Sequence, residues 1–196
     1  MSELASSKRA RIVTAALGVF GRYGYRRTSM DLIAQAAHMS RPAVYQHFKN
    51  KQAILRAVGQ LITDQVTAEA RTADEVDQPA AERLYRVLAV KLDLLAGTVE
   101  AAHRAELFAE AAQIAPAVID SFEQRYRDVI ETVLTDCADE LDLLDLALPA
   151  RDTAELLLHA LAGMTQTSHG PEILHARLHQ LTELTVRGLT SNTQET

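Results

Sequence analysis

The chain has 196 residues, 47% of them hydrophobic and 23% charged, and a net charge of −6 at pH 7, a profile that allows one large globular domain or two small ones. No run of about 18 apolar residues occurs, so no membrane span is expected, and the opening stretch through Val13 has no apolar core ahead of its charges, so no secretory signal is expected either. The single cysteine, Cys137, excludes an internal disulfide and suits a cytoplasmic location.

Alanine, leucine, arginine and glutamate dominate, and glycine and proline are sparse, which favours helix throughout. The first helix is expected to begin at Ser7. Ile12, Ala15, Ala16, Val19, Phe20 and Tyr23 form one apolar stripe at helical spacing, and Gly24 fits the position just past a helix end. Thr28 or Ser29 can cap a second helix, with Asp31 completing a short capping box if Thr28 is the cap. Leu32, Ile33, Ala36 and Ala37 carry its period. Ser40 restarts the pattern as a new cap. Pro42 sits in the first turn, where a missing N–H costs little, and Val44, Tyr45 and Phe48 supply an apolar side. The short gap between these helices, with small Ala34 at their crossing, is that of a helix-turn-helix. Its turn places His38 where a positive φ is required and glycine would be cheapest.

Asn50 caps the next helix, which runs from Lys51 to about Arg71 with Ile54, Leu55, Val58, Leu61, Ile62 and Val66 inside. Residues 72–78 read as an acidic loop. Pro79 starts a helix carrying Leu84, Val87, Leu88, Leu92 and Leu95, which Gly97 breaks. Glu100–Ala112 is a shorter helix. Pro116 opens a long one through Leu141, and residues 142–151 form a leucine-bearing connector. Asp152 with Glu155 predicts a capped start for a helix lined by Leu157, Leu158, Leu161 and Met164. Gly170–Pro171 turns into a last helix with Leu174, Leu178, Leu181, Leu184 and Leu189. The expected class is all-α with about nine helices.

Charge is unevenly spread. Residues 1–55 carry +7 and residues 56–196 carry −13, so one basic end suits a polyanion and the acidic remainder argues against a non-specific DNA coat. In a helix-turn-helix, Ser40 and the first turn of the second helix face base edges. There Arg41 can form two bonds to guanine, Pro42 and Ala43 can meet a thymine methyl, and Gln46 can pair with adenine.

Phe20, Gly24, Thr28, Ile33, Ala34, Ala37, Ser40, Val44, Tyr45, His47, Phe48, Lys51 and Leu55 stand at spacings such that residues 8–60 resemble the N-terminal head of TetR-type (tetracycline-repressor-like) transcriptional regulators. His38 is a departure, since that family usually has glycine there. The resemblance implies an N-terminal three-helix DNA-binding domain over residues 8–60, with its motif at about 29–48, and a larger helical ligand-binding and dimerisation domain over residues 61–190. It adds Tyr45, His47 and Lys51 as phosphate contacts, with Thr28 or Ser29 bonding phosphate at a helix start.

The resemblance further implies a repressor that binds a palindromic operator in double-stranded DNA as a homodimer and is released by a small-molecule effector. The last two helices, apolar on more than one side, are the expected dimer contact. Candidate pocket residues are His103, Phe108, Phe122, Tyr126, His159 and Met164. No cofactor is expected. A metal-responsive or constitutive regulator is the alternative: His175 and His179, one turn apart with His169 nearby, could hold a metal, but no acidic or cysteine partner stands at a matching offset. An enzyme would need more than Glu100 and His103, half of a carboxylate-bridged metal site, and no glycine-rich phosphate loop or nucleophile elbow occurs.

Overall fold

The computed structural model describes residues 2–75, 77–97, 101–141, 149–166 and 169–190, those at 2–6, 95–97, 101–106 and 108 by backbone alone. Among the described residues there are nine helices and no strand: α1 Ser2–Arg27, α2 Met30–Ala36, α3 Arg41–Tyr45, α4 Lys51–Ala73, α5 Ala80–Gly97, α6 Ala101–Ile114, α7 Pro116–Asp136, α8 Ala150–Thr165 and α9 Pro171–Thr190. They form two compact units, residues 1–65 with 98–121 and residues 66–97 with 122–196.

In the first unit Ile12, Ala16, Val19 and Phe20 of α1 meet Ile33, Ala34, Ala37, Val44, Phe48, Ile54 and Leu55, all buried. Each fully buried large side chain contributes about 1.5–3 kcal/mol relative to its exposed state. The predicted stripe fails at its last member. Tyr23 is exposed, and Tyr25 is buried instead, its ring 5.5 Å from that of Phe20. Gly24, with a φ of 77°, interrupts the helix after Tyr23 and resets the side-chain frame beyond it, which turns Tyr25 inward. α6 packs along α1, with Leu107 and Ile114 against the same core. Arg26 pairs with Glu110 at 2.7 Å, and Arg56 Nε donates to the Ile114 carbonyl at 3.1 Å. Gly59 of α4 lies so near α7 that an added Cβ would stand 2.9 Å from Val118 Cγ1.

In the second unit α5 lies along α9, and α8 touches both. Leu84, Val87, Leu88, Leu92, Tyr126, Ile130, Leu134, Leu161 and Leu178 fill its core. The Tyr126 hydroxyl donates to the Val87 carbonyl at 2.5 Å. α5 starts after Pro79 as expected, but its cap is distant: the Glu140 carboxylate accepts from the Ala80 N–H at 3.2 Å. α8 departs from its predicted start. Pro149 stands at the cap position with no side-chain bond, and Asp152 lies within the first turn. The regular helix of α7 stops at Asp136, and a turn carries buried Cys137 and Leu141 beyond it. Most of the connector expected at 142–151 lies outside the described residues.

Candidate nucleic-acid interface

The geometry of the head follows from its caps. Ser29 Oγ accepts from Leu32 N–H at 3.1 Å and starts α2, so Ser29 rather than Thr28 is the cap and the box with Asp31 does not form. Thr28 is buried, and its hydroxyl donates to the Gly24 carbonyl at 2.7 Å. Ser40 Oγ accepts from Ala43 N–H at 3.3 Å and starts α3, with Pro42 in the first turn. Asn50 Oδ1 accepts from Ala53 N–H at 2.9 Å and starts α4. His38 takes the positive φ of the turn, 52°.

Three cations of this basic head spend their donors on the backbone at helix ends. Arg11 donates from Nε to the Ala37 carbonyl at 3.1 Å and from Nη2 to the His38 carbonyl at 3.4 Å, closing α2. Arg9 donates to the His47 carbonyl at 3.3 Å and covers the Phe48 ring at 4.2 Å, closing α3. Lys51 Nζ donates to the carbonyls of Tyr25 at 2.7 Å and Thr28 at 2.9 Å and lies 4.1 Å from the Tyr25 ring centre, fastening the passage from α1 to α2. Arg11 and Arg9 stand at the negative ends of α2 and α3, where a cation is favourably placed and carbonyls lack intrahelical partners.

The first turn of α3 and its flank lie on the surface, as do Lys8, Arg22, Arg27 and Lys49. Ser40, Arg41, Pro42, Tyr45 and Gln46 are exposed, and Ala43 and His47 are half-buried. Tyr45 stands 42% exposed, so only Val44 and Phe48 of the expected apolar side enter the core. Arg41 Nη1 pairs with Asp31 at 3.0 Å, and its guanidinium carbon lies 5.5 Å from the Tyr45 ring centre. The Tyr45 side chain and the Asp31 charge together hold the Arg41 pKa above its ordinary value.

Four of the six pocket candidates, Phe122, Tyr126, His159 and Met164, belong to the second unit. Phe122 and Tyr126 are buried with ring centres 5.7 Å apart. His159 is exposed and lines no interior space, and Met164 is half-buried. The side chains of His103 and Phe108, and the whole of Glu100, lie outside the described residues. Beside the two rings is Lys91, 4% exposed, its ammonium 2.6 Å from Glu123 and 5.1 and 5.4 Å from the Phe122 and Tyr126 centres. Burial lowers the Lys91 pKa against the opposing pull of Glu123, and burial raises that of the Tyr126 phenol. Arg83 is likewise buried, paired with Asp74 at 2.7 Å and donating to Cys137 Sγ at 3.2 Å. Sequence reading missed both cations. The available signal was a charge at a core position of the α5 stripe, next to Leu84 and Leu88.

His175 and His179 do not act as a pair. His175 bridges Tyr85 at 3.2 Å and Asp93 at 2.9 Å, and the His179 ring packs edge-on against Tyr85. Among the described residues no group of three or more His, Cys, Asp or Glu is arranged to hold a metal ion. A shallow groove along α7, lined by Asp128, Glu131, Thr132, Thr135 and Asp136, includes none of the expected pocket residues.

Residues 12–58 match the family model described as bacterial regulatory proteins, tetR family. Over 77 residues, 39% of this chain and 40% of the relative, the sequence is 31% identical to the HTH-type transcriptional regulator YhgD of Bacillus subtilis. The matches span between 37% and 50% of the length of such curated relatives. Two solved structures share the fold along nearly the whole chain. One, a regulator assigned to the TetR family from Mesorhizobium loti, has a TM-score of 0.75 at 18% identity and covers 94% of this chain and 97% of its own. The other, a regulatory protein of the tetR family from Rhodococcus RHA1, has a TM-score of 0.64 at 25% identity and covers 96% and 98%.

Proposed function

We propose that this chain, whose residues 12–58 match the model of the tetR family of bacterial regulatory proteins, is a member of that family and a sequence-specific DNA-binding transcriptional regulator that represses from a palindromic operator as a homodimer. The observation that carries this reading is the start of α3, where Ser40, Arg41, Pro42, Tyr45 and Gln46 face solvent beside half-buried Ala43 on a well-braced basic head. That edge has the donors and apolar groups that base edges require. Ser29 and His47 flank it as phosphate contacts. Thr28 and Lys51 stand behind it, their hydrogen bonds turned inward, and act on DNA by holding the entry to α2. We assign DNA reading to residues 8–60 and dimerisation and effector binding to residues 61–190, with the protein working in the cytoplasm; no described helix is long and apolar enough to cross a membrane.

The dimer reading draws support from α8 and α9. Leu156, Ile173 and Leu184 are 61%, 49% and 68% exposed, and nothing lies within 4 Å of a Cβ built on Gly163 or Gly188. Apolar groups left in water on two neighbouring helices, beside residues small enough for close approach, suit a four-helix contact with a second copy. Two heads held by that contact match the two halves of a palindrome. A small-molecule effector acts by favouring one head spacing over another, and Phe122, Tyr126 and Met164 are the remaining candidates to meet it.

Selection of duplexes from a random-sequence pool by the full-length protein tests the reading. Recovery of a palindrome, footprinted over two half-sites and displaced by a compound that also raises the melting temperature, is the expected outcome. A pool that stays random after repeated rounds overturns it.

A further inference from the structure

We propose that Asp31 is a positioning residue for base readout, bracing Arg41 so that its guanidinium meets a base edge rather than the nearest phosphate; this rests on the DNA-binding reading above. Asp31 lies in the first turn of α2, and Arg41 opens α3. Arg41 Nη1 stands 3.0 Å from one carboxylate oxygen of Asp31 and 3.4 Å from the other. One turn along α3, Tyr45 places its ring against the same guanidinium, 5.5 Å from centre to carbon. Two contacts from two sides therefore hold a long side chain that would otherwise sweep a wide arc.

Fold stability does not account for the pair. Its side chains are 56% and 62% exposed, and an ion pair in that setting contributes little. Asp31 is not needed as a cap, because Ser29 already fills that role. Asp31 is also one of only two acidic residues among the first 55, and it stands on the edge assigned to a polyanion. An acidic group there repels phosphate, so it weakens every encounter in which cations meet only the backbone. The same group leaves the Nε–Nη2 edge of Arg41, two parallel donors with the spacing that guanine O6 and N7 accept. Asp31 thus trades general affinity for discrimination. Binding to random DNA is lowered by its charge, and binding to a guanine at the right step is raised by the ordering of Arg41.

The experiment uses the full-length protein, a duplex recovered by selection from a random pool, and a scrambled duplex of the same composition. Fluorescence anisotropy gives the ratio of the two affinities for wild type, D31N, R41A and the double variant, with circular dichroism melting to confirm each fold. The ratio should fall roughly tenfold in D31N. Affinity for scrambled DNA should rise, with a salt slope steeper by about one. In the R41A background D31N should leave the ratio unchanged. A ratio within about twofold of wild type in D31N, while R41A lowers it, overturns the bracing role alone. An undiminished D31N effect on the ratio without Arg41 overturns it as well. A wild-type chain that recovers no preferred duplex overturns the underlying reading and this inference with it.

Discussion

Lys51 Nζ lies 2.7 Å from the carbonyl oxygen of Tyr25, at the end of a different helix and 26 residues away. With the Thr28 carbonyl at 2.9 Å it forms a clamp inside the head. Lys51→Ala is expected to destabilise the protein by about 2 kcal/mol, the scale of hydrogen bonds to a charged group. DNA binding should weaken without a change in its salt slope. A salt titration beside urea unfolding checks this: a slope shallower by about one with stability intact would show that the ammonium contacts phosphate instead.

His38 holds a φ of 52° while its carbonyl accepts from Arg11. A left-handed conformation costs an L-residue about 1–2 kcal/mol, part of which glycine gives back in chain entropy. His38→Gly should therefore raise stability by about 0.5–1 kcal/mol, and His38→Val should lower it, as read from thermal unfolding.

The approach of Gly59 to Val118 leaves no room for a methyl group. Gly59→Ala gains helix propensity but forces Val118 to shift, and overpacking of this kind costs about 1–3 kcal/mol. Adding Val118→Ala should restore most of the loss. Denaturant unfolding of the two single variants and the double variant measures the coupling.

Burial lowers the pKa of Lys91, so the unfolded chain binds more protons than the folded one between that lowered value and the ordinary lysine value of about 10.4. Stability from this residue is depressed at lower pH and rises as pH climbs through the window. Lys91→Met should remove that rise. The raised pKa of Tyr126 acts in the opposite sense, lowering stability as pH climbs above about 10. The quantity to plot is therefore the difference between wild type and variant in unfolding free energy from about pH 7 to 9, below the range in which the tyrosine contributes.

Leu184 is 68% exposed and Leu156 is 61% exposed. Leu184→Glu should leave the melting of an isolated chain nearly unchanged and convert a dimer to monomer in sedimentation velocity. A dimer that survives both Leu184→Glu and Leu156→Glu would place the contact elsewhere.

The local devices were legible in the sequence because each is set by neighbours within four residues. Ser40 and Asn50 cap where their spacing says they should, and His38 sits at the strained turn. A period count ends at Tyr23 and does not show that Gly24 resets the frame so that Tyr25, beyond the break, joins the core. The Asp152 cap pattern fails because Pro149, three residues earlier, takes the cap position and starts the helix sooner. Arg9, Arg11 and Lys51 announced only their charge; which carbonyls they meet depends on how three helices cross, a long-range outcome. Lys91 and Arg83 stood on the apolar stripe of α5, yet only tertiary packing supplies the Glu123 and Asp74 carboxylates that make their burial tolerable.

The Glu140 carboxylate that closes the start of α5 comes from 60 residues downstream. During synthesis the first turn of α5 therefore emerges from the ribosome with its Ala80 amide unanswered, and stays so until all of α7 has followed and folded back. Making this bond requires closing a long loop, which is slow compared with forming either helix. Glu140→Ala should accordingly fray the start of α5, visible as faster amide exchange at Ala80, while α8 and α9 still pack on that helix.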